Sequence, residues 1–149
     1  MSKDIFWKPT PKQTLALQTT AKMILFGGGR GSGKTDAGIV WNMRNINNPD
    51  FRGLVIRKNA VDLTDWVSRA TMAYTPFGAK RSGTTPVFKF PSGAMIYTGH
   101  LADANSYTKY QGHEYHAINI EELTHIPTLL LFKRIVSFIT RLILVSKSD

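Results

Sequence analysis

Gly28, Gly33, Lys34 and Thr35 stand at the spacing G-x-x-x-x-G-K-S/T, and the chemistry of that pattern is the cradling of phosphates. Glycines at 27, 28, 29, 31 and 33 open backbone conformations closed to other residues, so successive N–H groups can turn inward on phosphate oxygens. A helix beginning just after the loop adds its partial positive charge. Lys34 is then placed to reach the β- and γ-phosphates, and the Thr35 hydroxyl to ligate magnesium. The expected nucleotide-binding residues are Gly28, Gly29, Arg30, Gly31, Ser32, Gly33, Lys34 and Thr35, with ATP as substrate and Mg2+ as its cofactor. A glycine-rich turn that merely connects two elements would not explain why Lys and Thr follow in register.

A loop of this kind works with an acidic strand end, and Ala117, Ile118 and Ile120 run directly into Glu121 and Glu122. In the Walker B role the first acid holds the metal, usually through water, and the second polarises the attacking water as general base. Glu121 is therefore expected on the magnesium side, and Glu122, Lys34 and Arg30 are the expected catalytic residues. The competing reading is a helix N-terminus that favours acids, which Thr124 and Pro127 keep open. Arg30 sits inside the phosphate loop, where a guanidinium can stabilise charge developing on the γ-phosphate; the alternative is that it points to solvent.

Arg57 and Lys58 close a second apolar run, at the edge where open α/β sheets bind ligands. Phosphate, DNA and a neighbouring subunit are all open to them. His113 and His116 flank Glu114, but they are three apart beside Gly112 and next to a strand. H-E-x-x-H instead sets its two ligands one helical turn apart, so zinc is not expected.

These groups need elements to hold them. Lys12–Thr20 follows two prolines and reads as a short helix. Lys22–Phe26 is an apolar run ended by glycines, the look of a buried parallel strand. Lys34 to about Asn47 reads as a helix with Ala37, Val40 and Trp41 on one face, closed by Asn48 and Pro49. Gly53–Arg57 is a second strand. The helix after it, which Asn59 could cap, has Leu63, Trp66, Val67, Ala70 and Tyr74 at helical spacing. Pro86–Phe90 and Ala94–Thr98 flank Pro91-Ser92-Gly93 and predict a hairpin. Tyr115–Ile120 is a further strand, a helix begins near Pro127, and the pattern assigns nothing after Ile135. Alternating strands and helices predict an α/β fold: a three-layer P-loop sandwich with a mainly parallel sheet plus a β-hairpin.

The 149 residues suit one domain, 1–149, and no repeat or linker divides them. Without cysteine, disulfides and thiolate metal sites are excluded. Nineteen Lys and Arg against ten Asp and Glu, a formal charge of +9, suit a polyanion partner, although solubility alone is the plainer account. The N-terminus lacks the apolar core of a signal peptide. Lys133, Arg134 and Arg141 interrupt the apolar stretch Leu129–Val145, each costing about 2.5 to 3.5 kcal/mol at a bilayer centre. No membrane partner is expected, and the expected location is the cytoplasm of a bacterial host.

With its loop written Phe26-Gly27-Gly28-Gly29-Arg30-Gly31-Ser32-Gly33-Lys34-Thr35, the chain resembles the ATPase domain of phage terminase large subunits, motors that package viral DNA. Pro9–Leu17 with Gln13, Leu54–Asn59, and Tyr110–Pro127, which reads YQGHEYHAINIEELTHIP, carry the same likeness, up to about Leu131. The resemblance implies that Gln13 reads adenine and that Arg30 acts on the γ-phosphate. It also implies double-stranded DNA, a small terminase subunit and a portal or procapsid as partners, and a homo-oligomer in the full motor. Glu121 departs from the commoner Asp of Walker B. Phe138–Asp149 departs from the family pattern, and neither a coupling motif nor an acidic nuclease site follows, which suggests a product truncated after about residue 135. Two other functions compete: another P-loop ATPase of helicase type, which would separate strands, and a prophage remnant that binds nucleotide without hydrolysing it.

Overall fold

The computed structural model describes residues 7–21, 23–26, 33–57, 61, 63–100, 114–121 and the backbone of 139–145. Helix α1 (Pro11–Gln18) starts where the sequence can start one: Thr10 accepts from Gln13 N, Gln13 Oε1 accepts from Thr10 N at 2.8 Å, and proline occupies the first turn. Strand β1 (Met23–Phe26) leads to the glycine loop, and α2 (Lys34–Asn42) leaves it. The helix is shorter than its apolar pattern predicts, passing into a 3-10 turn over Met43–Asn45. Its buried stripe is Ala37, Ile39 and Trp41, with Val40 only half-buried.

Strand β2 (Arg52–Arg57) is followed by α3 (Leu63–Tyr74) and then by three strands, β3 (Lys80–Ser82), β4 (Val87–Lys89) and β5 (Met95–His100). The expected hairpin is β4–β5, antiparallel with Phe88 opposite Ile96. Strand β3 has no apolar alternation and all three of its residues are exposed. It is held by antiparallel pairing to β4 at the sheet edge. Strand β6 (Tyr115–Ile120) and β7 (Ile139–Val145) complete a sheet in the order β1-β7-β6-β2-β5-β4-β3.

The five strands from β1 to β5 in that order are parallel, so the fold is α/β with a mainly parallel sheet and an antiparallel edge. Residues 139–145, unassigned by pattern, form the strand between β1 and β6. The expectation for β1 holds in direction but not in burial: Phe26 is buried, while Met23 and Leu25 are 47% and 68% exposed. A strand at the sheet edge has one neighbour and keeps an open side.

The described helices pack on one another and on the sheet, around a core that includes Trp66, Tyr74, Phe88 and Phe90. The Tyr74 ring meets Phe88 and Phe90 edge to face, with centroids 5.1 and 5.5 Å apart. Its hydroxyl donates to Ile39 O at 2.8 Å, tying α3 to α2. Burial, and secondarily the Glu121 carboxylate, push the Tyr74 phenol well above its ordinary value of 10. A raised value means that the folded state holds the proton more tightly, so this contribution is intact below pH ~10 and falls away as pH rises beyond the ordinary tyrosine range. Tyr74→Phe is expected to cost about 1 kcal/mol at neutral pH and to lessen the alkaline loss of stability; urea melts at pH 7 and pH 10.5 (roughly half a unit above the usual value) measure both.

Candidate functional site

Gly33 adopts φ 75° as the residue before α2, and no side chain caps the helix there. Its first turn is therefore not closed by a capping side chain. Gln13 Nε2 donates to Gly33 O at 2.8 Å, and a β-carbon at Gly33 would collide with that amide. Gln13 is 4% exposed and has both ends of its amide committed, one to the α1 cap and one to Gly33. The structure thus places Gln13, the expected adenine reader, as a strut under Gly33. Lys34, the next residue, is buried.

Side chains alternate along a strand, and on β6 this turns Ala117 into the helix-facing core while Asn119 and Glu121 lie against α2 at Gly38. A β-carbon on Gly38 would collide with the Asn119 amide and stand 3.0 Å from Glu121 Oε1. Glycine at this position lets the helix approach the end of β6. Asn119 Nδ2 donates to Glu121 Oε1 at 3.2 Å, and Thr35 Oγ1 donates to Glu121 Oε2 at 3.3 Å. The loop residue expected to ligate magnesium and the acid expected beside it, 86 positions apart, thus stand in contact.

The parallel register of β2 and β6 pairs Val55 with Asn119 and Ile56 with Ile120, so the strand ends Arg57 and Glu121 come side by side. Arg57 Nη2 lies 3.6 Å from Glu121 Oε2, with side chains 10% and 1% exposed. The Glu121 backbone is fixed as well, its N–H donating to Ile56 O at 2.9 Å. The sequence left phosphate, DNA and a neighbouring subunit open for Arg57; the partner the structure gives it, this carboxylate, was not among them. Asn119 and this ion pair are the parts of the site that sequence reasoning missed. A lone polar residue inside the apolar run of β6 was the available signal for Asn119.

Gly28, Gly29, Arg30, Gly31, Ser32 and Glu122 lie outside the described residues, as do Lys58, His113 and the expected Asn59 cap. His116 Nδ1 accepts from Arg52 N at 3.0 Å, and its ring stacks on Phe51, which gives it a structural place at the start of β2. An open pocket of about 500 Å3 between α3 and the β3–β4 hairpin, lined by Leu63, Val67, Arg81, Pro86 and His100 among others, shares none of the site's residues. We give it no part in the chemistry. No helix among the described residues is long and apolar enough to cross a membrane.

A hydroxyl and a carboxylate in contact beside a buried lysine, in the first turn of a helix with no side-chain cap, are hard oxygen donors next to a cation. That donor set suits magnesium carried by a nucleotide. No family model and no curated protein matches the chain, but solved structures do. The large terminase ATPase domain of Thermus phage P74-26 aligns over 96% of this chain and 66% of its own, at 14% identity and a TM-score of 0.67. The large terminase of a thermophilic bacteriophage aligns over 93% and 39%, at 13% identity and 0.74; the same protein in complex with ADP gives 91% and 38%, at 11% and 0.68. The Phi-28 gp11 DNA packaging motor aligns over 95% and 49%, at 16% and 0.56. The chain spans less than two thirds of each of these proteins. The likeness is one of fold, and the fold is that of the ATPase domains of phage large terminases.

Proposed function

We propose that this chain is the ATP-binding and ATP-hydrolysing motor domain of a phage DNA-packaging terminase. The observation that carries the proposal is the contact of Thr35 with the buried Glu121 beside Lys34. Lys34 offsets the charge of the β- and γ-phosphates, and the backbone N–H groups at the start of α2 point the same way. Thr35 and Glu121 would hold Mg2+, which supplies charge neutralisation across the β- and γ-oxygens. Glu122 orients and deprotonates the attacking water, and Arg30 stabilises charge on the transferring group. ADP in a protein of the same fold supports the nucleotide, and a DNA packaging motor of the same fold, together with the charge of +9, supports duplex DNA as the polyanion. A small terminase subunit, a portal and a ring of copies belong to the same proposal.

Alone, the chain is expected to bind ATP and turn it over slowly, because an arginine supplied by a neighbouring subunit can be worth about 10³ to 10⁵ in rate. Linear duplex DNA should stimulate turnover without strand separation, and a plasmid should survive magnesium or manganese uncut. The other acids are Asp4, Asp36, Asp50, Asp62, Asp65, Asp103, Glu114 and Asp149; among the described residues no three acids or histidines gather to hold a metal ion, whereas two-metal cleavage needs carboxylates that clamp ions about 3.5 to 4 Å apart. ATPase, unwinding and plasmid-nicking assays run together decide it. Unwinding would point to the helicase reading, tight binding without turnover to a remnant, and cleavage that survives Lys34→Ala to a nuclease site.

A further inference from the structure

We propose that Arg57 is a resident cation of this site, neutralising Glu121 until a divalent metal takes its place and then withdrawing. The inference rests on the reading of Glu121 as the metal-side acid, and it adds a regulatory role for a residue outside both nucleotide motifs. Glu121 is 1% exposed, and a carboxylate removed from water needs a compensating charge. Arg57 gives it that charge at 3.6 Å on Oε2, the same oxygen that Thr35 contacts at 3.3 Å. The guanidinium therefore shares an oxygen with the hydroxyl that would ligate the metal.

A doubly charged ion brought to that oxygen and the arginine would repel one another in a poorly screened setting. One of the two has to leave. Glu121 is the fixed member, pinned through its backbone N–H to Ile56 O and through Oε1 to Asn119. Arg57 is the last residue of β2 and reaches the site on a long side chain with several rotatable bonds.

The test needs no ATP turnover. In the absence of divalent ions, Arg57→Gln is expected to melt roughly 5 to 10 °C below wild type, because it takes the guanidinium away from a buried carboxylate. Millimolar magnesium without nucleotide should restore most of that loss while moving wild type by no more than about 1 °C. Electron paramagnetic resonance titration with Mn2+ alone should show at least about tenfold tighter binding to Arg57→Gln than to wild type, while Arg57→Lys, which keeps the charge, stays close to wild type. The double variant Arg57→Gln/Glu121→Gln should recover stability and ignore the metal. Equal Mn2+ affinity in wild type and Arg57→Gln overturns the proposal. So does an Arg57→Gln protein that stays unfolded with metal present, since the metal then fails to replace the guanidinium. A wild-type titration with Mg·ATP separates the two readings: no ATP binding alongside a tighter Mn2+ site in Arg57→Gln refutes the nucleotide assignment and leaves the resident cation standing.

Discussion

Lys34→Ala is expected to weaken ATP binding by roughly 10- to 100-fold or more and to leave no measurable turnover. The lysine is the first residue of α2 and is buried, so in the proposed site its ammonium would meet phosphate charge where water screens it poorly. Charge-assisted hydrogen bonds in such surroundings are about twice as strong as neutral ones, and several phosphate charges converge on this one group. Alanine is at least as good a helix former as lysine, so the variant should keep its helix content. Isothermal titration of wild type and variant beside circular dichroism measures both. Equal affinity for ATP would remove Lys34 from the site, and with it the phosphate-loop assignment.

Glu122→Gln should leave ATP binding intact and reduce turnover by roughly 10² or more, because glutamine keeps the shape of the side chain and loses the base. The geometry of its neighbour supports this division of labour. Both oxygens of Glu121 are already engaged, by Thr35 and Arg57 on one and Asn119 on the other. An acid held so firmly suits metal positioning better than taking a proton from water. Glu121→Gln is accordingly expected to impair magnesium-dependent binding and stability as well as rate. Rapid-quench turnover with a parallel binding titration separates the two acids. Intact hydrolysis in Glu122→Gln combined with its loss in Glu121→Gln would exchange their roles.

The proposed nucleotide loop could be read from sequence alone because its residues are contiguous and their types are few, and residues 27–32 lie outside the described residues. The acid at the end of β6 was legible because an apolar run breaks abruptly into Glu121 and Glu122. Helix α3 was readable from one continuous stripe, Leu63, Trp66, Val67, Ala70 and Tyr74, all of them buried. What the pattern could not supply was register. Arg57 and Glu121 meet only because β2 and β6 pair with Val55 beside Asn119, and no local feature of either strand encodes that alignment. Gln13 was singled out by resemblance, whereas its double role as helix cap and strut for Gly33 belongs to three-dimensional packing. Strands β3 and β7 were missed for opposite reasons. Lys80–Ser82 carries no apolar signal because it is an exposed edge, and Ile139–Val145 lies within an apolar stretch too continuous to mark a period.

The position of β7 bears on the order in which the molecule can be made. Strand β1, which delivers the nucleotide loop, has β7 as its neighbour in the sheet, with Met23 beside Leu142 and Phe26 beside Val145. A ribosome releases β1 before β2 through β6, and all of these before β7. Strands β2 through β6 can pair among themselves while the chain is still growing, but the loop-bearing strand has to wait for residues 139–145 before it joins the sheet. Loop closure over so long a span is slow and entropically costly. The strand ahead of the proposed nucleotide loop thus waits on residues 139–145, and a nascent chain halted before residue 139 would hold β1 without the neighbour it has in the sheet.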